Sequence, residues 1–200
     1  MWNRFKGDNG EISIIQCAEQ LDAPREAVAD TYGNCTWHNW TLKSAEEVAK
    51  NKGWERAEGI SALGLTLGLY GFSRSETMNN DTRSKSVFQY IETHDQSRFL
   101  NMFGEDKNSY VLFPIGRRRD NWLKTQPYLI ALLLADGIPM LWQGQELCEN
   151  NSLPLDGEGR VGFLRPVHWN YFYDSPGKGS LWLVRTLLKL RKRDAHFRPP

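Results

Sequence analysis

Short apolar runs alternate with longer stretches of helical period along this 200-residue chain, and that alternation restricts its fold more than any other feature. Ile12–Ala18 is a β-branched run after Gly10-Glu11, which predicts a buried strand delivering Glu19 at its C-terminal end. The turn Leu21-Asp22-Ala23-Pro24 leads to a short helix over 25–31 and a second strand over 32–37, interrupted by Gly33 and Asn34. Ser44 with Glu47 reads as a capping box opening a helix. A further helix over 55–70 carries Gly59, Gly64 and Gly68, each costing about 1 kcal/mol relative to Ala. After the polar, aperiodic segment 73–86, Val87–Ile91 is the third strand and hands over to Glu92-Thr93-His94-Asp95. Residues 120–135 predict a helix with Leu129, Leu132 and Leu133 inside and Pro127 near its first turns. Gly137 stops it, and Ile138–Trp142 is the fourth strand, ending in Gln143-Gly144-Gln145-Glu146. A polar loop over 150–179 precedes a last helix over 180–193. Leu181, Val184, Leu187 and Leu188 recur there at helical spacing, and Lys189, Arg191, Lys192 and Arg193 suit its C-terminal dipole.

Strand and helix in strict alternation predict an α/β fold with a parallel sheet. No repeat, low-complexity tract or linker divides the chain, so residues 1–200 read as one unit. With 25 Lys+Arg against 24 Asp+Glu, the net charge of +1 argues against nucleic-acid or membrane-surface binding driven by bulk charge. No apolar run approaches the roughly 20 residues of a membrane span. MWNRFKGDNG at the start lacks an apolar signal core, so the expected location is cytoplasmic. Cys17, Cys35 and Cys148 are odd in number and form no CxxC pair, which does not read as a disulfide framework. His38, His94, His168 and His196 lie far apart with no cysteine at ligand intervals, so no metal and no cofactor are expected. Eight Trp must find partners for their indole N–H groups, which favours surfaces and clefts.

Glu19, Asp95 and Glu146 all follow strands, the side on which barrel enzymes place their chemistry. Glu19 and Asp95 are the candidate catalytic carboxylates, one able to protonate a leaving group while the other stays ionised. The competing reading has Glu19 capping a helix and Asp95 anchoring a loop through backbone N–H groups. Arg117-Arg118-Arg119 reads as a solvated loop. His168-Trp169 and Tyr171-Phe172-Tyr173 read equally as a sugar-stacking rim or as packing against the last helix.

Ser86–Arg98 (SVFQYIETHDQSR) and Asp136–Glu146 (DGIPMLWQGQE) resemble the seventh and eighth barrel strands of the α-amylase superfamily of glycoside hydrolases, glycoside hydrolase family 13. That family ends one strand in His-Asp, usually after Asn, and reads Gly-x-Pro, apolar residues and Gly-x-Glu at the next. Gly137, Pro139, Gly144 and Glu146 fit the second pattern; Thr93 stands where Asn is common. Ile12–Ala18 with Glu19 is similar to the strand bearing the family's acid/base glutamate.

The resemblance implies that Glu19 is the general acid/base, that Asp95 stabilises the transition state through sugar hydroxyls, and that His94 bonds the same ring. It also implies an α-linked glucan or oligosaccharide as substrate. The family's nucleophilic aspartate sits in an Arg-x-Asp strand before the acid/base strand. Asp8, between Lys6-Gly7 and Asn9-Gly10, has turn composition instead, so no nucleophile is expected here. A complete (β/α)8 barrel takes about 250 residues. The expectation is therefore a partial barrel, strands five to eight with their helices, inactive alone and self-associating through its open edges. The family's calcium ligands would belong to the missing half. The leading expectation is hydrolysis of α-glucosidic bonds in the complete enzyme, with a transglycosylating or branching activity or a non-catalytic carbohydrate-binding remnant as the alternatives.

Overall fold

The computed structural model describes residues 15–31, 33–51, 53–68, 86–103, 119–153 and 162–194. Among them, four short strands form one parallel sheet in sequential order: β1 (Cys17–Ala18), β2 (Cys35–Trp37), β3 (Ser86–Gln89) and β4 (Ile138–Pro139). Between and after them run α1 (Pro24–Ala29), α2 (Asn39–Lys50), α3 (Gly53–Leu67), α4 (Trp122–Leu133) and α5 (Ser175–Arg193). The alternation predicted from sequence is present, and the fold is α/β. Residues 12–14 of the first predicted strand, the 73–85 part of the polar segment, Asp8 and Arg117-Arg118 lie outside the described residues.

The core forms where α2, α3, α4 and α5 close on the segment that follows β3. Ala45, Val48 and Ala49 meet Leu63, Ile91, Phe99, Leu129, Leu132, Leu133, Val184 and Leu187. The buried stripe expected of α4 is there. In α5 the stripe is narrower than its spacing suggested: Val184 and Leu187 are buried, while Leu188 is 42% exposed. Pro127 lies inside α4 on an exposed side; the carbonyl it leaves unbonded belongs to exposed Leu123, where water reaches it.

Two helix starts differ from the sequence reading. Ser44 caps nothing; it is a buried interior residue of α2, which begins at Asn39 after His38. His38 Nδ1 lies 2.9 Å from Thr41 Oγ1 in that first turn. Likewise α5 begins well before Ser180. Asp174 is its N-cap, accepting from Gly177 N at 2.9 Å, and Pro176 sits in the first turn, where a missing N–H costs nothing.

Polar side chains tie the layers together. Gln89, fully buried in β3, donates to Thr66 O at 2.7 Å and accepts from Gly137 N at 2.7 Å, joining the end of α3 to the start of β4. Gly137 is demanded by this contact, because a Cβ there would lie 2.6 Å from Gln89 Oε1 and 2.8 Å from Val87 O. Arg191 serves a different helix from the one it ends. Its guanidinium donates to Leu133 O at 3.1 Å, Ala135 O at 2.6 Å and Gly137 O, capping α4.

Candidate active site

Glu19 directly follows β1, and His94 and Asp95 lie in the turn that follows β3. Because β1 and β3 run parallel in one sheet with β2 between them, these residues emerge on one side of the sheet, at its C-terminal edge. One ligand atom from each of Glu19, His94 and Asp95 lies within 4.8 Å of the others. His94 Nε2 is 3.4 Å from Asp95 Oδ1 and 4.0 Å from Glu19 Oε1. All three side chains are about half exposed, so the site is an open mouth. Sequence spacing missed that this trio could sterically share a metal ion; the fold brings it together from two strand ends.

Backbone chemistry shapes the turn. Thr93 is buried, and its Oγ1 accepts from Asp95 N at 3.1 Å, a local side-chain turn that sets the direction in which Asp95 leaves the chain. Two indoles flank His94: Trp37 at 6.1 Å, edge-on, and Trp142 at 6.0 Å, tilted. They come from the ends of β2 and β4, on either side of β3. Tyr90 packs against Trp37 at 5.2 Å and donates to Asn39 Oδ1 at 3.3 Å. Burial, then the charges of Glu19 and Asp95, push its phenol well above the ordinary tyrosine range.

Buried Arg98 locks the wall behind the mouth. It donates to Glu92 Oε2 at 3.0 Å and to Gln143 O at 2.6 Å, with its guanidinium 5.8 Å from the Trp142 ring centroid. Glu92 also accepts from Phe99 N at 2.8 Å. Burial pushes the Glu92 carboxyl up, and Arg98 pulls against that shift. Arg165, which the sequence left in a featureless loop, donates to His94 O and, at 3.2 Å, to Gln96 O. It too lies 5.8 Å from the Trp142 centroid.

That outer segment is held by Glu149. Its buried carboxylate accepts from His168 N and lies 2.9 Å from His168 Nδ1. Gly144, at φ +83°, makes room for Glu149, whose Cγ would sit 2.4 Å from an added Cβ. Glu146 follows β4, as its position after the fourth predicted strand implied, but it is half-buried in that turn and is not in the trio. Arg119 is likewise not a solvated loop residue. It pairs with Asp174, donates to Cys148 O at 3.0 Å and Leu147 O at 2.6 Å, and stacks 3.6 Å over Tyr171. Tyr171 packs inward and donates to Asn150 Oδ1 at 3.0 Å, whereas Trp169 and Tyr173 are each 72% exposed. A small cavity between Glu92, Gln145 and Glu149 is lined by none of Glu19, His94 and Asp95.

No family model and no curated protein matches the sequence. Solved structures do. Pullulanase complexed with maltotriose from Anoxybacillus sp. LM18-11 matches 98% of this chain at 17% identity, with a TM-score of 0.63 over 28% of its own length. The debranching enzyme from Nostoc punctiforme matches 98% at 16% identity, TM-score 0.58, over 36% of its length. Cyclic α-maltosyl-(1→6)-maltose hydrolase from Arthrobacter globiformis matches 98% at 17% identity, TM-score 0.56, over 38% of its length. The chain shares its fold with part of each of these enzymes. It spans between 28% and 38% of their chains. At this identity the likeness establishes fold, and function rests on the site.

Proposed function

We propose that this chain is the acid/base-bearing part of an α-amylase-type retaining glycosidase, barrel strands five to eight, hydrolysing α-glucosidic bonds in the complete enzyme. The observation that carries the reading is the convergence of Glu19, His94 and Asp95 within 4.8 Å beyond the C-terminal edge of a parallel sheet. Glu19 is the general acid/base, protonating the leaving oxygen and later activating water. Asp95 tightens on sugar hydroxyls as charge develops at the anomeric carbon, and His94 bonds the same ring. Trp37 and Trp142 offer ring faces and edges to the sugar. The maltotriose bound by the matched pullulanase suggests the ligand class.

The resemblance also supports inactivity of the chain by itself. An inverting pair needs carboxyl groups about 6.5–9.5 Å apart to admit a water. One carboxylate oxygen of Glu19 and one of Asp95 lie within 4.8 Å, nearer the spacing of about 5–5.5 Å of a retaining pair. The retaining route needs a nucleophile, and the resemblance puts that aspartate on a preceding strand. Residues 1–200 therefore bind glucan without turning it over.

The test is a titration of the 1–200 protein with maltotriose, followed by Trp fluorescence, beside a reducing-sugar assay. A saturable change that Asp95→Ala and Trp142→Ala abolish, with no sugar released, is expected. No response, or a response indifferent to both substitutions, overturns the assignment. In a complete enzyme containing this chain, Glu19→Gln should lower kcat by about 10²–10⁴-fold, the usual worth of a general acid.

A further inference from the structure

Cys17 and Cys35 are direct partners in the parallel register of β1 and β2, so their side chains leave the same face of the sheet at one level. Cys17 is exposed and Cys35 is buried. The register is pinned on both sides of the pair. Before it, Gln16 N donates to Asn34 Oδ1 at 2.7 Å, and Gln16 O accepts from Asn34 N at 3.2 Å and Cys35 N at 3.1 Å. After it, Thr36 Oγ1 donates to Ala18 O at 3.1 Å. Neither strand can slip without breaking these bonds. Adjacent strands lie about 4.8 Å apart, inside the Cα separation of about 4.4–6.8 Å that a disulfide spans and near its short end.

From this placement we infer that Cys17 and Cys35 form a cross-strand dithiol that exchanges with low-molecular-weight disulfides of the oxidised-glutathione type to give a reversible Cys17–Cys35 bridge. Cys17 is the solvent-exposed thiol of the pair, and the adjacent Cys35 thiol pulls it below the ordinary thiol range, while Cys17 and burial push Cys35 above it. Cys17 is thus the attacking thiolate. It bonds to one sulfur of the small disulfide, whose S–S bond breaks and releases the first small thiolate. Cys35 then surrenders its proton to that thiolate, and its sulfur attacks Cys17, expelling the second. One protein dithiol is oxidised by two electrons, and one small disulfide becomes two thiols. Cys17 is exposed, and exposed bridges are readily reduced, which suits reversible exchange and not a structural staple. This inference is independent of the glucan reading.

The experiment incubates the 1–200 protein with oxidised glutathione and maps peptides by mass spectrometry without reduction. A Cys17–Cys35 link, two hydrogens lighter and reversed by dithiothreitol, is expected in wild type and in Cys148→Ser. Cys35→Ser should instead stop at a glutathione adduct on Cys17, and Cys17→Ser should react at neither position. Phenylarsine oxide gives a second readout that needs no variant: it bridges two neighbouring thiols with loss of water. Wild type should take up one equivalent held by Cys17 and Cys35. A persistent adduct on Cys17 beside free Cys35, a link to Cys148, or no arsenical bridge would each overturn the proposal.

Discussion

His38, Arg98 and Glu92 are ionisable side chains placed where charge is expensive, and each has a measurable consequence. His38 is fully buried, and desolvation lowers its pKa to about 4. In the unfolded chain it titrates near 6.5. Below that pH the unfolded state binds more protons than the folded one, so stability falls as pH drops from about 6.5 to about 4 and levels off beneath. The loss amounts to about 3 kcal/mol. Urea unfolding at intervals from pH 7.5 to 4 should show it, and His38→Asn, neutral throughout, should flatten that part of the profile. For the buried pair, removing one partner strands the other. Arg98→Met should cost about 3–5 kcal/mol, and Glu92→Leu added to it should recover most of that loss. Single-mutant losses no larger than those of surface residues would refute the pairing. Arg98→Met should also loosen Trp142 beside His94, read as a red shift in Trp emission, because Arg98 holds the Gln143 carbonyl next to that indole.

A helix start leaves its first N–H groups free, and a side-chain cap is one way of satisfying them. The Ser44-x-x-Glu47 pattern had the form of a cap, but α2 starts earlier, at Asn39, where no side chain caps its N–H groups and His38 Nδ1 meets Thr41 Oγ1. For α5 the cap is Asp174, which also pairs with Arg119. Paired substitutions separate the two assignments by thermal or urea unfolding. Asp174→Ala should destabilise by about 1 kcal/mol or more, the worth of an N-cap plus a half-exposed ion pair. Ser44→Ala should be neutral or slightly stabilising, since Ala is the better residue inside a helix. A cap-sized loss at Ser44 would restore the sequence-derived boundary.

At the scale of the whole molecule, β1 and β4 each pair on one side among the described residues. Their other sides present backbone N–H and C=O groups, and Ile15, next to β1, is 51% exposed. Parallel edges of this kind favour pairing with another copy. Size-exclusion chromatography of the 1–200 protein should give a concentration-dependent dimer or larger species, and Ile15→Lys at the edge should shift it toward monomer. A monomer at every concentration would remove the open edge as a driving force. No helix among the described residues is long and apolar enough to cross a membrane.

The amino-acid sequence by itself determined the α/β alternation, the buried stripe Leu129, Leu132 and Leu133, and the delivery of Glu19, His94 and Asp95 to strand ends. These follow from local physics: side-chain period, β-branched runs and turn residues act over a few positions. Tertiary structure alone decided that those three side chains meet, that Arg165 reaches His94 O, and that Arg191 caps α4 from α5. It also put Cys17 beside Cys35 and turned Arg119 inward onto Tyr171 and Asp174. Each of these joins residues remote along the chain, and the partner of a buried cation or thiol is fixed by sheet register and helix docking. No spacing along the chain encodes that choice, because any of several carbonyls or carboxylates would satisfy the same group.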